Sequence, residues 1–361
     1  MRMLASVKGW AKWRSVAACI TAAGLALTGC GGGEALQAPG AQTVPEASPE
    51  GGYQPVTLTD CVGHQSVFNT PPKRVVAMDQ GSLNLLLYLG LGDRVVGWVT
   101  YSLAEGVFPA QLQDIGPKVP VLAQHPVARE VLLGAGPDLV IASFSSDFDG
   151  DQVASQQELA DRGINSYRTF STGCESEASQ PVTSLDAVYR DLDNLGRIFG
   201  VEDRASELAT RMRTQVNEVA RAVAGAPRPR VFFFEFDEYS DTPFATGNLQ
   251  NINAVAELAG ATNIFGDINK SYERVGWEEV VARNPEVIAI ITYDRSDPAE
   301  DEERFEEAKR FLLGFPPISA MEAIRGQRFV HLIYEDGSIG SPRNAQAVHD
   351  LSKALHPDRV R

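Results

Sequence analysis

"RVVAMDQGSLNLLLYLGLGDRVVGW", residues 74–98, reads as strand, helix and strand in immediate succession. Positions 75–78 are apolar without alternation, as in a strand covered on both faces. A short loop follows Asp79, and Leu83, Leu86 and Leu87 then recur at helical spacing through 83–89. Gly90 stands where a helix needs a residue free to turn left-handed, and the next strand runs over 95–99. The same grammar returns later. "RVFFFEFD" (230–237) leads through a loop to a helix over 254–258 and then to "LAGATNIFG" (258–266). A second matched pair lies downstream of each copy. Glu130 stands seven residues before Pro137, Asp138 and the strand "LVIAS"; Glu278 stands seven before Pro285, Glu286 and "VIAII". Proline stops the preceding helix in both.

Further strands are predicted over 139–143, 166–170, 231–236, 287–292 and 329–334. Between the halves, 184–200 carries Val188, Leu192, Leu195 and Phe199 at helical spacing. The stretch 202–225 carries Ala205, Leu208, Met212, Val216, Val219 and Val223. That second helix would span about 34 Å at 1.5 Å per residue. Gly225 and Pro227 end it. The expected fold class is α/β: two Rossmann-like lobes with central, largely parallel sheets, joined by one long α-helix, with a ligand cleft between them. The expected domains are 53–200 for the N-terminal lobe, 201–225 for the linking helix and 226–361 for the C-terminal lobe.

The first thirty residues differ from the rest. Arg2, Lys8, Lys12 and Arg14 precede an uncharged apolar run over 15–27, too short to span a bilayer and of the length of a signal-peptide core. Leu27-Thr28-Gly29-Cys30 resembles a lipoprotein cleavage site, so 1–29 is expected to be removed and Cys30 lipidated. A plain secretory signal with an incidental cysteine is the alternative. Residues 30–52 hold few large apolar groups and read as a flexible tether. The expected location is extracytoplasmic, lipid-anchored to the cell membrane. Cys61 and Cys174 remain as an even pair in an oxidising compartment, where a disulfide is expected, with two buried thiols as the alternative.

Net charge of −15 argues against nucleic-acid binding and fits a neutral or cationic ligand. There is no nucleophile elbow and no phosphate loop, so an enzyme is not expected. The five histidines are scattered, which disfavours a bare metal site, and no resident cofactor is expected. In parallel lobes the loops after the strands meet ligands. Those loops carry Tyr101, Phe144, Phe148, Tyr239, Trp277, Tyr293 and Arg343, the expected ligand contacts. Aromatic rings give large contact area at low entropy cost, which suits a bulky chelate.

Taken together, "PPKRVVAMDQGSLNLLLYLGLGDRVVGW" (71–98), "EVLLGAGPDLVIAS" (130–143), "LAGATNIF" (258–265), "GWEEVVARNPEVIAII" (276–291) and "IRGQRFVHL" (324–332) resemble the class III substrate-binding proteins of ABC importers. The resemblance covers about residues 54–358. It implies partnership with a permease and its ATPase, a small-molecule cargo and a monomeric protein. It also implies that Glu130 and Glu278 pair with permease arginines, Glu279 being the neighbour that could exchange roles with Glu278. Iron–siderophore complexes, haem and cobalamin are the family's cargoes. An iron–siderophore is the expected one, because the iron then needs no protein ligand; haem, with His125 or Tyr239 as candidate axial ligands, and a corrinoid are the alternatives.

Overall fold

A computed structural model describes residues 52–100, 108–109, 111–174, 180–236, 242–293 and 298–360. The chain enters through a hairpin of β1 (Val56–Thr59) and β2 (Gln65–Phe68). The N-terminal lobe follows as β3 (Val75–Ala77), α1 (Gln80–Tyr88), β4 (Val95–Thr100), β5 (Val121–Gln124), α2 (Arg129–Gly134), β6 (Leu139–Ala142), α3 (Gln156–Asp161) and β7 (Asn165–Arg168). Its five strands run parallel in the order β5-β4-β3-β6-β7. The first strand is central, and the chain adds strands on one side of it before crossing to the other.

Two helices then pack against each other, α4 (Asp186–Phe199) and α5 (Glu202–Val223). Gly200 separates them at φ +66, a conformation that costs a side-chain-bearing residue about 1 kcal/mol. The 22 residues of α5 serve both lobes. Leu208, Met212 and Val216 lie in the core built on the first sheet, whereas Val219 belongs to the core of the second.

The C-terminal lobe contains β8 (Arg230–Glu235), β9 (Phe244–Thr246), α6 (Asn251–Leu258), β10 (Thr262–Asn263), β11 (Tyr272–Arg274), α7 (Trp277–Arg283), β12 (Val287–Thr292), α8 (Pro298–Leu313), α9 (Glu322–Arg325), β13 (Phe329–Ile333), α10 (Tyr334–Gly337) and α11 (Asn344–Leu355). Strands β8, β12 and β13 are parallel, with β10 parallel beside β8. Strands β9 and β11 extend the sheet antiparallel, in the order β11-β9-β8-β12-β13. Among the described residues no strand is shared between the two sheets, and the two-lobed α/β architecture is the one expected.

The internal repeat extends to individual hydrogen bonds. Asp138 accepts from the backbone N–H groups of Lys73 and Arg74, and Glu286 accepts from that of Arg230. The Arg74 side chain donates to the Gly136 carbonyl; that of Arg230 donates to the Asn284 carbonyl. Gly136 and Asn284 both have positive φ. In each lobe an acid after the helix-stopping proline therefore clamps the entrance of the first strand.

Some elements differ from expectation. β5, β9 and β11 were not predicted, being short and less apolar than the central strands. α1 starts at Gln80 rather than 83, because Asp79 caps it and Ser82 reciprocates. The expected signal peptide and lipidation site, residues 1–29 and Cys30, lie outside the described residues. No helix among the described residues is long and apolar enough to cross a membrane.

Candidate ligand cleft and docking surface

In open parallel sheets a crevice opens where the strand order reverses, outside the carboxyl ends of the strands. Here the reversals fall between β3 and β6 in the first lobe and between β8 and β12 in the second. On the first, Asp79 and Ser143 meet: the buried Asp79 carboxylate accepts from the N–H groups of Ser143 (2.7 Å) and Ser82 (2.9 Å). Burial pushes its carboxyl above the usual range, partly opposed by those hydrogen bonds. It is a cap that ties α1 to the end of β6, not a free acid. The neighbouring turn carries Phe144 and Phe148, both half-buried, and Asp147, whose carboxylate lies 3.1 Å from Nε2 of His125. Desolvation holds His125 below the usual imidazole range, opposed by the nearby charges of Asp79 and Asp149.

On the second reversal Tyr293 donates to the nearly buried Glu235, and its ring packs on Tyr334 at 4.9 Å. Burial, then the Glu235 charge, pushes the Tyr293 phenol far above its ordinary value. The ring still leaves Tyr293 41% exposed. This is a supported aromatic surface with a fixed acid beneath it. Glu235 was absent from the expected contacts; it sits in an apolar strand, and only its place at the strand's end signals the site.

The lobes touch beside the Asp79 cap. The Gly340 N–H donates to Thr172 Oγ1 at 2.8 Å. Ile339 packs over Gly81, where an added Cβ would fall 2.2 Å from Ile339 Cγ2. Thr172 sits on a well-held loop: Asp191 of α4 accepts from the N–H groups of Phe170 and Ser171 and from the Tyr167 hydroxyl. Cys174 closes the same loop through a disulfide to Cys61 in the β1–β2 hairpin.

Two expected ligand contacts are corrected by their surroundings. Trp277 is 5% exposed and packs among Phe232, Phe234, Phe311 and Phe315 in the C-terminal core, since it opens a helix that lies on the sheet. Arg343 is 9% exposed and ion-paired with Asp336, so its guanidinium is already committed. Tyr101 and Tyr239 lie outside the described residues. No group of three or more histidine, cysteine or acidic side chains among the described residues is arranged to hold a metal.

A periplasmic binding protein family model matches residues 75–333, which is most of the chain and spans both lobes and the helix between them. The chain belongs to this family. As a periplasmic binding protein it resembles an uncharacterised ABC transporter substrate-binding lipoprotein, YvrC, of Bacillus subtilis: 24% identity over 94% of this chain and 96% of the relative. It is 27% identical to a cobalamin-binding protein of Halobacterium salinarum over 67% of this chain and 60% of that protein. Among solved structures, a periplasmic binding protein from Veillonella parvula superposes with a TM-score of 0.74 at 23% identity, covering 84% of this chain and 99% of the other. The protein is thus the extracytoplasmic substrate-binding component of an ABC importer, a binding protein and not an enzyme, and it works with a permease and its ATPase.

For a periplasmic binding protein the surface beside the cleft matters as much as the cleft. α2 and α7 each run back from the carboxyl edge of their sheet to feed the next strand, so their first turns rim the cleft. Glu130 and Glu278 occupy those first turns, both exposed. Neither carboxylate has a hydrogen bond or ion pair among the described residues. Glu279 differs, because Arg283 binds it at 2.8 Å while also holding Asp267. Of the two adjacent acids, Glu278 is the one left available.

Proposed function

We propose that the protein captures a metal chelate carrying no net negative charge, a corrinoid in the first reading, and hands it to the permease by pairing Glu130 and Glu278 with basic residues there. The observation that carries the ligand class is the charge of the cleft loops. Asp147, Asp149 and Asp151 stand in the turn after β6, Glu235 at the end of β8 and Glu335 in the first turn of α10, with Asp237, Glu238 and Asp241 added by sequence. The nearby cations are engaged: Arg343 with Asp336, Lys270 with Glu273, and Arg274 over the ring of Phe244 at 3.8 Å. A polyanionic chelate, or haem with its propionates, would meet repulsion there. A corrinoid presents neutral amides around an apolar ring, matched by the Tyr293–Tyr334 surface and by Phe144 and Phe148. The ligands named for the curated relatives, cobalamin and vitamin B12, support this choice.

An iron–siderophore of neutral or cationic hydroxamate chemistry is the second reading. It shares the charge argument and needs no protein ligand to the metal. Lipidation at Cys30 would hold the protein at the membrane with residues 31–52 as its tether.

Calorimetric titration of residues 31–361 with cyanocobalamin, a ferric trihydroxamate, a ferric tris-catecholate and haem tests both readings. Tight binding of cyanocobalamin alone is expected. Binding of the trihydroxamate alone would install the second reading. Preference for the tris-catecholate or haem would overturn the charge argument.

A further inference from the structure

An aromatic patch lies beside the first turn of α7, which carries Glu278. Phe311, near the end of α8, and Phe315 stack nearly parallel, 5.7 Å apart at 15°. Both lie against Trp277, at 6.3 and 5.5 Å, and Phe311 also meets Phe236 at 6.1 Å. Phe311 remains 39% exposed. Pro316 and Pro317 are exposed next to the stack. Trp277 immediately precedes Glu278, so the ring cluster packs beside the helix turn that carries the exposed carboxylate. Below them the Trp277 indole N–H is buried with no acceptor among the described residues. The first lobe repeats the pattern in lighter form. There Glu130 is followed by Val131, also among the exposed large apolar side chains.

We propose that Phe311, on its Trp277–Phe315 support, is an apolar anchor that inserts between extracytoplasmic segments of the ABC permease when Glu278 docks. The proposal rests on the reading of Glu130 and Glu278 as permease contacts. Three physical points favour a permease over a ligand as occupant. The ring packs on the residue next to an unpaired acid, so apolar area and charge lie close together on the surface. Interfaces draw their strength from an aromatic anchor in a dry centre, with charges around it guiding approach. Phe311 is buttressed by rings on its inner side, so it keeps one orientation and loses little entropy on docking.

The two contributions separate by salt. Charge pairing at the rim weakens as ionic strength rises, while apolar burial persists. The test uses the full-length protein loaded with its cargo and the permease–ATPase complex of its own importer in lipid nanodiscs. Docking is measured by surface plasmon resonance at 50 mM and 500 mM NaCl. Ligand affinity is measured by calorimetry and thermal midpoint by calorimetric scan. Phe311→Ala is expected to weaken docking about tenfold at both salt concentrations, with ligand affinity unchanged and the melting midpoint lowered but still well above the assay temperature. Phe311→Leu, which keeps most of the apolar area, is expected to recover most of the loss. Glu278→Gln is expected to weaken docking at 50 mM and much less at 500 mM.

Wild-type docking by Phe311→Ala at 500 mM would overturn the anchor. So would loss of ligand affinity in that variant, which would assign the ring to the cargo. If Phe311→Ala unfolds, Phe311→Leu and Phe311→Tyr carry the test, and equal docking by wild type, Leu and Tyr with a polar Phe311→Gln variant would overturn it. Weak docking by Phe311→Ala with unaffected Glu278→Gln and Glu130→Gln would keep the anchor and overturn the carboxylate reading instead.

Discussion

At the scale of single residues, the site is shaped by what burial does to charge. Asp79 and Asp191 are buried, accept several hydrogen bonds each, and still have carboxyls raised above the usual value by desolvation. A raised carboxyl means the unfolded chain holds its proton less tightly, so these two acids oppose folding increasingly as pH rises above about 4. His125 and His331 act in a different window. Desolvation lowers both, so the unfolded state binds protons better, and the stability tied to the neutral rings is present above about 6.5 and lost as pH falls. His331 packs face to face on Phe305 and bonds Thr292, with Glu302 nearby. The melting temperature is expected to fall between pH 7.5 and 5.5, and His331→Gln is expected to reduce that slope. Differential scanning calorimetry of both proteins across the range checks it; an identical slope would remove His331 from the explanation. The cysteine pair is a second residue-scale matter. Sequence reading left two thiols or a bond, and Cys61 and Cys174 are bonded across 113 positions. In the chain-entropy model a loop of that length is worth up to about 4–5 kcal/mol. Cys61→Ser/Cys174→Ser is expected to lower urea stability by that amount or less, and reductant is expected to shift only the wild type.

At the scale of elements, α5 is the informative one. Its apolar stripe was legible as a long amphipathic helix, because a 3.6-residue period needs only local sequence to be seen. Which core each turn enters was not legible. Leu208 and Met212 belong to the first lobe's core and Val219 to the second's. Leu208→Ala is expected to cost about 2–4 kcal/mol and Val219→Ala about 2 kcal/mol, both through cavity formation. Since the helix serves both lobes, both variants should shift a single shared unfolding transition. Two separate transitions in a urea titration followed by circular dichroism, each moved by only one variant, would contradict this. The strands divide in a similar way. β3, β6, β8 and β12 were readable because central parallel strands are apolar on both faces. β5, β9 and β11 lie toward sheet edges, where a solvated face removes that signal.

At the scale of the whole molecule, the proposed docking residues Glu130 and Glu278 stand in helix first turns at the carboxyl edges of the two sheets, beside the proposed cleft. Glu130→Gln/Glu278→Gln is expected to weaken permease docking about tenfold or more at low salt while leaving ligand affinity unchanged. The difference should largely vanish at 0.5 M salt. Nanodisc binding paired with ligand calorimetry checks both halves, and a fall in ligand affinity would move the glutamates into the cleft. Placement of the cleft residues also belongs to this scale. Trp277 and Arg343 were expected to face cargo, and both are instead engaged within the C-terminal half, the one by four phenylalanines and the other by Asp336. Tyr293 bonds Glu235 and packs on Tyr334, and it stays partly exposed.

By itself the sequence determined the α/β class, the repeated strand–helix–strand segments and the long linking helix. Each follows from local periodicity or from a motif whose parts lie within a few residues of one another. Only the tertiary structure decided which aromatic rings are core and which are surface, that Glu279 is tied to Arg283 while Glu278 is not, and that Glu235 lies under Tyr293. Those outcomes depend on groups brought together from distant positions. A tryptophan at a loop–helix junction has the same local sequence whether a neighbouring helix covers it or a ligand does, and only packing separates the two.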